Sequence, residues 1–335
     1  MAETVLVTGG SGFIAGWCIV QLLERGYEVR TTVRDFSKAQ RVRAAVAGAR
    51  AAADRLGFAV ADLNSDAGWD AAVAGCQYVL HVASPLGGGT PGDRNSLVAP
   101  ARDGTLRVLR AAAKAGVKRV VMTSAAAAAR PALTTERTSD ESIWADPDDP
   151  QFDAYRVSKI LAERAAWDFM SRESGTTQLT TILPGAVFGP ILAAENLGSV
   201  QIIQGMLQGK PGAIPRLGFW VVDVRDLADL HIRAMTAESA AGQRFIAAGE
   251  YMWMEDIART LRTELGEAAA KAPTRRLPDF VVRMLLPFVP NLRSLAPLLG
   301  RRFPLTSAKA RQMLGFAPRP AAQTVIECAR SLLPV

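Results

Sequence analysis

Residues that build metal centres and covalent scaffolds are scarce in this 335-residue chain, which has 3 cysteines and 2 histidines. Cys18, Cys76 and Cys328 lie far apart, are odd in number and form no Cys-x-x-Cys pair. That pattern excludes a disulfide framework and points to a reducing, cytoplasmic setting. His81 and His231 are too distant in sequence to form a local ligand pair, so no metal site is expected. Long apolar runs are missing too. The stretch from Met284 to Val289 is interrupted by Pro287 and closed by Pro290. It falls far short of the roughly 20 apolar residues that span a bilayer, so no membrane partner is expected. Met1, Ala2 and Glu3 run straight into an apolar strand, which predicts no secretory leader. Lys and Arg number 39 against 32 Asp and Glu, a formal charge of +7, yet no basic run exceeds two residues. A polybasic tail is therefore excluded, and no nucleic-acid partner is expected.

What is present is a globular composition, 49% hydrophobic and 21% charged, which excludes disorder, collagen and coiled coil for the chain as a whole. Apolar runs alternate with helical patterns. Strands are predicted at Thr4–Thr8, Val29–Val33, Phe58–Ala61, Tyr78–Val82, Arg119–Thr123 and Leu179–Leu183. Helices are predicted over Phe13–Arg25, Ser37–Arg55, Gly68–Ala74, Asp103–Ala115 and Ala154–Arg172. This rhythm predicts an α/β fold: a doubly wound parallel sheet of Rossmann type, with helices on both faces. After Pro184 the pattern loosens. A helix over Asp226–Met235 and a strand at Arg244–Ala247 belong to the first layer, and the chain from Tyr251 onward reads as mostly helical. The expected division is a nucleotide-binding domain of residues 1–187 and 219–248, with a smaller substrate lobe of residues 188–218 and 249–335.

Three places carry chemistry. Gly9, Gly10, Ser11 and Gly12 follow a strand and open a helix at Phe13 and Ile14, the context of a dinucleotide fingerprint. The glycines allow a tight turn and a close pyrophosphate, and the first N–H groups of the helix hold it. About 20 residues further on, the second strand ends at Arg34 and Asp35. An acidic residue there holds a ribose 2′-hydroxyl and would suit NAD, whereas a guanidinium can fork onto a 2′-phosphate. Arg34, followed by Lys38 and Arg41, favours NADP(H). Ligands bind beyond the carboxyl ends of parallel strands. Asp62 and Leu63 are accordingly expected beside the adenine, and Val82, Ala83 and Ser84 beside the nicotinamide ribose. His81 reads as a buried, hydrogen-bonded residue rather than a base. The third place is Tyr155 with Lys159. On a helix, positions i and i+4 share a face. An ammonium near a phenol favours the phenolate and lowers a pKa that is ordinarily about 10. Tyr155 then becomes an acid for a carbonyl that receives hydride.

These segments resemble the extended short-chain dehydrogenase/reductases: GGSGFIAGW at 9–17, YEVRTTVRD at 27–35, VLHVASP at 79–85 and YRVSKILAERAAWDF at 155–169. The likeness is to the branch with dihydroflavonol 4-reductase, cinnamoyl-CoA reductase and microbial NADPH-dependent aldehyde or ketone reductases. DVRDLADLH at 223–231 and SAKARQMLG at 307–315 resemble that family's later segments. The resemblance implies that Tyr155 is the proton donor and that Lys159 also binds the ribose. It further implies that Pro184, Ala186 and Val187, within LPGAVFGP, run beside the nicotinamide. The chain departs from the pattern twice. Where the family shows Thr-Ser-Ser, this chain has Thr123-Ser124-Ala125, leaving alanine at the catalytic serine's place. Ser124 is expected to take over as the carbonyl's donor if the strand's end swings it inward. Arg130 and Pro131 replace the asparagine that dihydroflavonol reductases use near their flavonoid, which argues against such a substrate. The expected activity is NADPH-dependent reduction of a hydrophobic or aromatic aldehyde or ketone by a monomer or homodimer. Phe280, Val281, Met284, Leu285, Leu286 and Phe288 are candidates for the roof of an apolar pocket. The alternatives are a nucleotide-sugar epimerase or dehydratase on the same scaffold, and a non-catalytic NADP sensor.

Overall fold

The computed structural model describes residues 2–49, 51–85, 93, 95–132, 135–193, 198–285 and 298–333. The first half alternates as expected: β1 (Thr4–Val7), α1 (Phe13–Glu24), β2 (Glu28–Val33), α2 (Ala39–Gly48), β3 (Leu56–Val60), α3 (Trp69–Val73) and β4 (Tyr78–His81). It continues through α4 (Val98–Lys114), β5 (Arg119–Thr123), α5 (Ala154–Arg172), β6 (Gln178–Pro184) and β7 (Ala186–Phe188). Next come α6 (Val200–Leu207), β8 (Ile214–Pro215), β9 (Gly218–Asp223), α7 (Val224–Thr236) and β10 (Arg244–Ala247). The last part holds β11 (Tyr251–Trp253), α8 (Met254–Leu265), β12 (Arg276–Leu277), α9 (Asp279–Leu285) and two helices, Ala308–Leu314 and Ala321–Leu332.

Seven strands form one parallel sheet in the order β10-β6-β5-β4-β1-β2-β3. The chain runs outward one way from β1 and the other way from β4, so a crevice opens where these two neighbours end. One face is covered by α1 packed on α7, with α2 beside them, and the other by α4 packed on α5, with α3. The strands are apolar throughout because both faces are covered: every residue of β5 is buried. Val7, Leu22, Val121, Leu227 and Phe245 belong to the core on the α1 and α7 side. Leu6, Val79, Val108, Val120 and Ala162 belong to the core on the α4 and α5 side.

Two helices differ from the periodic reading. The run expected over Ser37–Arg55 is a 3-10 turn at Phe36–Lys38, then α2, then a second 3-10 turn at Ala53–Arg55. The helix gives way so that the chain can return to β3, where Arg43 donates through Nη2 to the Leu56 carbonyl at 2.7 Å. α4 begins at Val98 rather than Asp103 because Pro100 falls in its first turn, where no N–H is needed. The second half of the chain holds short strands that its sequence did not announce. β7, β9 and β11 form a small sheet, and β8 pairs with β12. At Gly185, between β6 and β7, an added Cβ would run into the Trp220 carbonyl, so only glycine lets the chain cross there. Behind this sheet Phe188, Ile203, Ile257, Leu261 and Val325 form a separate core.

Candidate active site

The glycine turn sits at the crevice between β1 and β4. Gly9 has φ +75°, and a Cβ there would stand 3.0 Å from the Ala83 Cβ. The turn is pinned by threonines. Thr8 Oγ1 accepts from the backbone N–H groups of Val82 at 3.0 Å and Ala83 at 2.9 Å. Gly9 N–H donates to Thr32 Oγ1 at 2.8 Å. Gly12 caps α1 with no side-chain hydrogen bond, and the first turn of α1 has no acidic residue. The N–H groups of Phe13 and Ile14 therefore begin a helix whose positive end no side chain neutralises, which fits a dinucleotide pyrophosphate. Beside the loop lies a cavity of about 250 Å³ lined in part by Ser11, Gly12, Phe13, Lys38 and Arg41.

Arg34 is exposed immediately after β2, with Arg41 one helix turn into α2. Asp35 is used in its own turn. Its side chain accepts the Ser37 N–H at 2.8 Å and caps the 3-10 turn. Asp62 likewise closes a local turn, accepting from the backbone and side-chain nitrogens of Asn64 at 2.9 and 3.1 Å. Leu63 is half-buried and packs against Gly104 of α4. Val82, Ala83 and Ser84 follow β4, half-buried at the crevice. Pro184 closes β6, and Ala186 and Val187 lie in β7 beside β9.

α5 starts where Asp153 accepts the Arg156 N–H at 2.8 Å. Lys159 is buried, and its Nζ donates to the Thr123 carbonyl at 3.0 Å, so it reaches the carboxyl end of β5. Burial pushes its ammonium down to about 8, against the opposing pull of Glu163. Tyr155 keeps 37% of its surface open, yet enclosure of its hydroxyl end raises the phenol to about 12, with Asp153 also raising it and Arg156 lowering it. The direction is opposite to the lowering expected from the sequence, because burial of the phenol outweighs the charges around it.

Ser124 does not turn toward Tyr155. Its hydroxyl donates to Glu163 Oε2 at 2.6 Å, on the α5 side of the sheet, and the residue is 1% exposed. Thr123 points the opposite way, as neighbours on a strand do. Its hydroxyl is 2.7 Å from His231 Nε2, while His231 Nδ1 lies 2.8 Å from the Leu227 carbonyl. Burial lowers His231 to about 4, so the ring is neutral, with Nδ1 donating to the carbonyl and Thr123 donating to Nε2. Both hydroxyls at the end of β5 are committed elsewhere, and Ala125, where the chain turns, has none. His81 is a structural residue as expected: its ring joins Thr8 Oγ1 at 3.0 Å to Thr105 Oγ1 at 3.2 Å, and burial lowers it to about 3.

Sequence reasoning missed Glu163, which is fully buried between Ser124, Thr181 and Arg244. Its spacing of four residues from Lys159 was the available signal. Of the proposed roof, Phe280 and Met284 are exposed and Val281 is half-buried, while Leu286 and Phe288, with the side chain of Leu285, lie outside the described residues. Among the described residues no group of three His, Cys, Asp or Glu side chains is placed to hold a metal ion, and no helix is long and apolar enough to cross a membrane.

The family model of the NAD dependent epimerase/dehydratase family matches residues 5–248. The chain belongs to that family. Within it, the extended short-chain reductases are the relatives. The chain is 36% identical over 261 residues to tetraketide alpha-pyrone reductase 1 of Arabidopsis thaliana, covering 76% of this chain and 78% of that protein. It is 38% identical over 251 residues to cinnamoyl-CoA reductase 1 of the same plant, covering 73% and 70%. Among solved structures, the yeast methylglyoxal/isovaleraldehyde reductase Gre2 complexed with NADPH superposes with a TM-score of 0.81 at 26% identity, covering 98% of each chain. The open glycine turn and the helix that carries Tyr155 and Lys159 stand on one sheet, at the ends of β1 and β5.

Proposed function

We propose that this chain is an NADPH-dependent carbonyl reductase that converts a hydrophobic aldehyde or ketone to its alcohol. The observation that carries this reading is α5, which holds Tyr155 and Lys159 four residues apart and anchors Lys159 on the end of β5, across β4 from the open glycine turn. The reductase relatives and the NADPH-bound Gre2 structure support it. Gly9, Gly12, Phe13 and Ile14 hold the pyrophosphate, and Arg34 with Arg41 reads the 2′-phosphate. Asp62 and Leu63 border the adenine. Val82, Ala83, Ser84, Pro184, Ala186 and Val187 border the nicotinamide end, and residues 188–218 and 249–335 form the substrate lobe.

When bound, the reduced cofactor supplies hydride to the carbonyl carbon. Tyr155 holds at Oη the proton that the carbonyl oxygen takes as it gains charge. A phenol at about 12 keeps that proton through neutral pH. Ser124 we assign to holding Glu163 rather than to the substrate.

A panel of aldehydes and ketones, followed by loss of NADPH absorbance, tests the reading. Stoichiometric oxidation of NADPH is expected with at least one hydrophobic carbonyl compound. Tyr155→Phe should slow it by about 10²-fold or more while leaving NADPH binding intact. An epimerase or dehydratase would return its cofactor unchanged, and a sensor would oxidise none.

A further inference from the structure

Among the described residues, Arg130 presents Nε and Nη2 buried and without a hydrogen-bond partner. Buried guanidinium donors left unpaired are costly, and native proteins fill them. Three other arginines of this chain show what fills that edge. Arg225 sets Nε 2.9 Å and Nη2 2.7 Å from the two oxygens of Asp223. Arg276 does the same to Glu255 at 2.8 and 2.7 Å, and Arg244 to Glu163 at 2.9 and 3.3 Å. In each case one carboxylate takes both nitrogens of the fork.

The acidic neighbours of Arg130 do not supply that carboxylate. Asp153 gives its two oxygens to the Arg156 backbone N–H at 2.8 Å and to Arg156 Nη1 at 2.7 Å. Asp149 accepts the Gln151 N–H at 2.9 Å. The Arg130 guanidinium lies over the Phe152 ring, its central carbon 4.1 Å from the ring centre. What remains is an edge whose two nitrogens no protein group among the described residues fills.

The place of that edge matters. Arg130 follows the turn Ala126–Ala129, which leaves the carboxyl end of β5, and Phe152 stands three residues before Tyr155. Arg130 lies over the Phe152 ring, so the guanidinium stands at the start of α5, beside the segment that leads into Tyr155. Gln151, beside Phe152, also keeps a buried side-chain oxygen with no partner.

We propose that Arg130 binds a carboxylate of the substrate, so that the preferred substrates are oxo acids. The inference rests on the carbonyl-reductase reading above and adds a substrate class to it.

The test compares acids with their neutral esters: benzoylformate with methyl benzoylformate, and 4-formylbenzoate with its methyl ester, in wild type, Arg130→Met and Arg130→Lys. In wild type the better acid should exceed its ester in kcat/KM by about tenfold or more, the scale of a charge-assisted fork. Arg130→Met should lose that advantage on the acid and leave the ester nearly unchanged. Arg130→Lys, a charge without a fork, should keep part of it. Equal kcat/KM for acid and ester in wild type, or equal losses on both in Arg130→Met, would overturn the proposal. A second arm needs no turnover: calorimetric titration of the NADP⁺-loaded protein with benzoate and benzamide. Benzoate should bind more tightly, and Arg130→Met should abolish the difference; equal binding by wild type overturns the proposal. If no carbonyl compound is reduced, the reductase reading fails, and this arm still decides the role of Arg130. Met removes an unpaired buried cation, so the melting temperature of Arg130→Met should be at or above wild type. Should that variant not fold, Arg130→Lys carries both arms.

Discussion

At the scale of single residues, the end of β5 is the informative place. The run Thr123-Ser124-Ala125 left open whether Ser124 could serve a carbonyl. The answer depended on side-chain parity along the strand, which is set by partners 108 residues from Thr123 and 39 residues from Ser124. No local pattern carries that information. Thr123 is turned to His231 and Ser124 to Glu163, and we propose that Ala125 leaves the carbonyl without a hydroxyl donor from β5. The expected consequences are specific. Ser124→Ala should leave kcat within a few-fold of wild type but cost about 1.5–3 kcal/mol of stability, the worth of a hydrogen bond to a charged group. Ala125→Ser should restore a donor and accelerate reduction of a poor substrate, up to the 10²–10³-fold that one such donor supplies. Steady-state kinetics and urea unfolding of the two variants check this. A large kcat loss in Ser124→Ala would return that hydroxyl to the reacting carbonyl.

At the scale of elements, α5 was legible in full, and so was β10. Both were expected at the bounds they have, because Asp153 caps the helix and the apolar strand is flanked by turns. The short strands β7, β9 and β11 were not legible. Three paired residues are too few to show a period, and their pairing is fixed by partners more than 30 residues away. Nor did the helix period alone reveal what α5 connects. Glu163 is held by Arg244 of β10, whose guanidinium also takes the carbonyls of Ala128, Glu141 and Ile143. The same carboxylate opposes the discharge of Lys159, which donates to the Thr123 carbonyl. Lys159 falls from 10.5 to about 8, so its charge is lost as pH rises through that value. The alkaline limb of kcat/KM, which reports the free enzyme, should therefore begin near pH 8. Glu163→Gln should move the limb to lower pH. The unfolded chain keeps the Lys159 proton up to about 10.5, so between about 8 and 10.5 it binds more protons than the folded chain. Over that window this group makes stability rise with pH, not fall. A pH profile unchanged in Glu163→Gln would separate Glu163 from the ammonium.

At the scale of the whole molecule, the glycine turn lies where two cores meet. Phe13 packs against the core beneath α1 and α7 and also against the core of the lobe. Charges bridge the same junction. Arg225 of α7 pairs with Asp223 and with Glu327 of the C-terminal helix, and Arg319 pairs with Asp226. Asp223 is buried, so these contacts are screened less than surface pairs and tie the C-terminal segment to α7. A ligand seated on the turn therefore braces both parts, and unfolding should be one transition that the ligand shifts as a unit. A ligand at about 100 times its dissociation constant adds about 2.7 kcal/mol. For a chain of this length that is worth several degrees of melting temperature. NADPH should raise the melting temperature by that amount, and NADH at the same concentration by much less, if the exposed Arg34 guanidinium takes the 2′-phosphate as proposed. Arg34→Ala should weaken NADPH about tenfold, equivalent to about 1.4 kcal/mol. The NADPH shift should then fall toward the NADH shift, with the NADH value itself unmoved. Differential scanning calorimetry of wild type and variant decides between the possibilities. Equal shifts by the two cofactors in wild type would remove Arg34 from phosphate recognition. Two separate transitions, only one of them moved by NADPH, would show that the charged junction does not couple the lobe to the sheet.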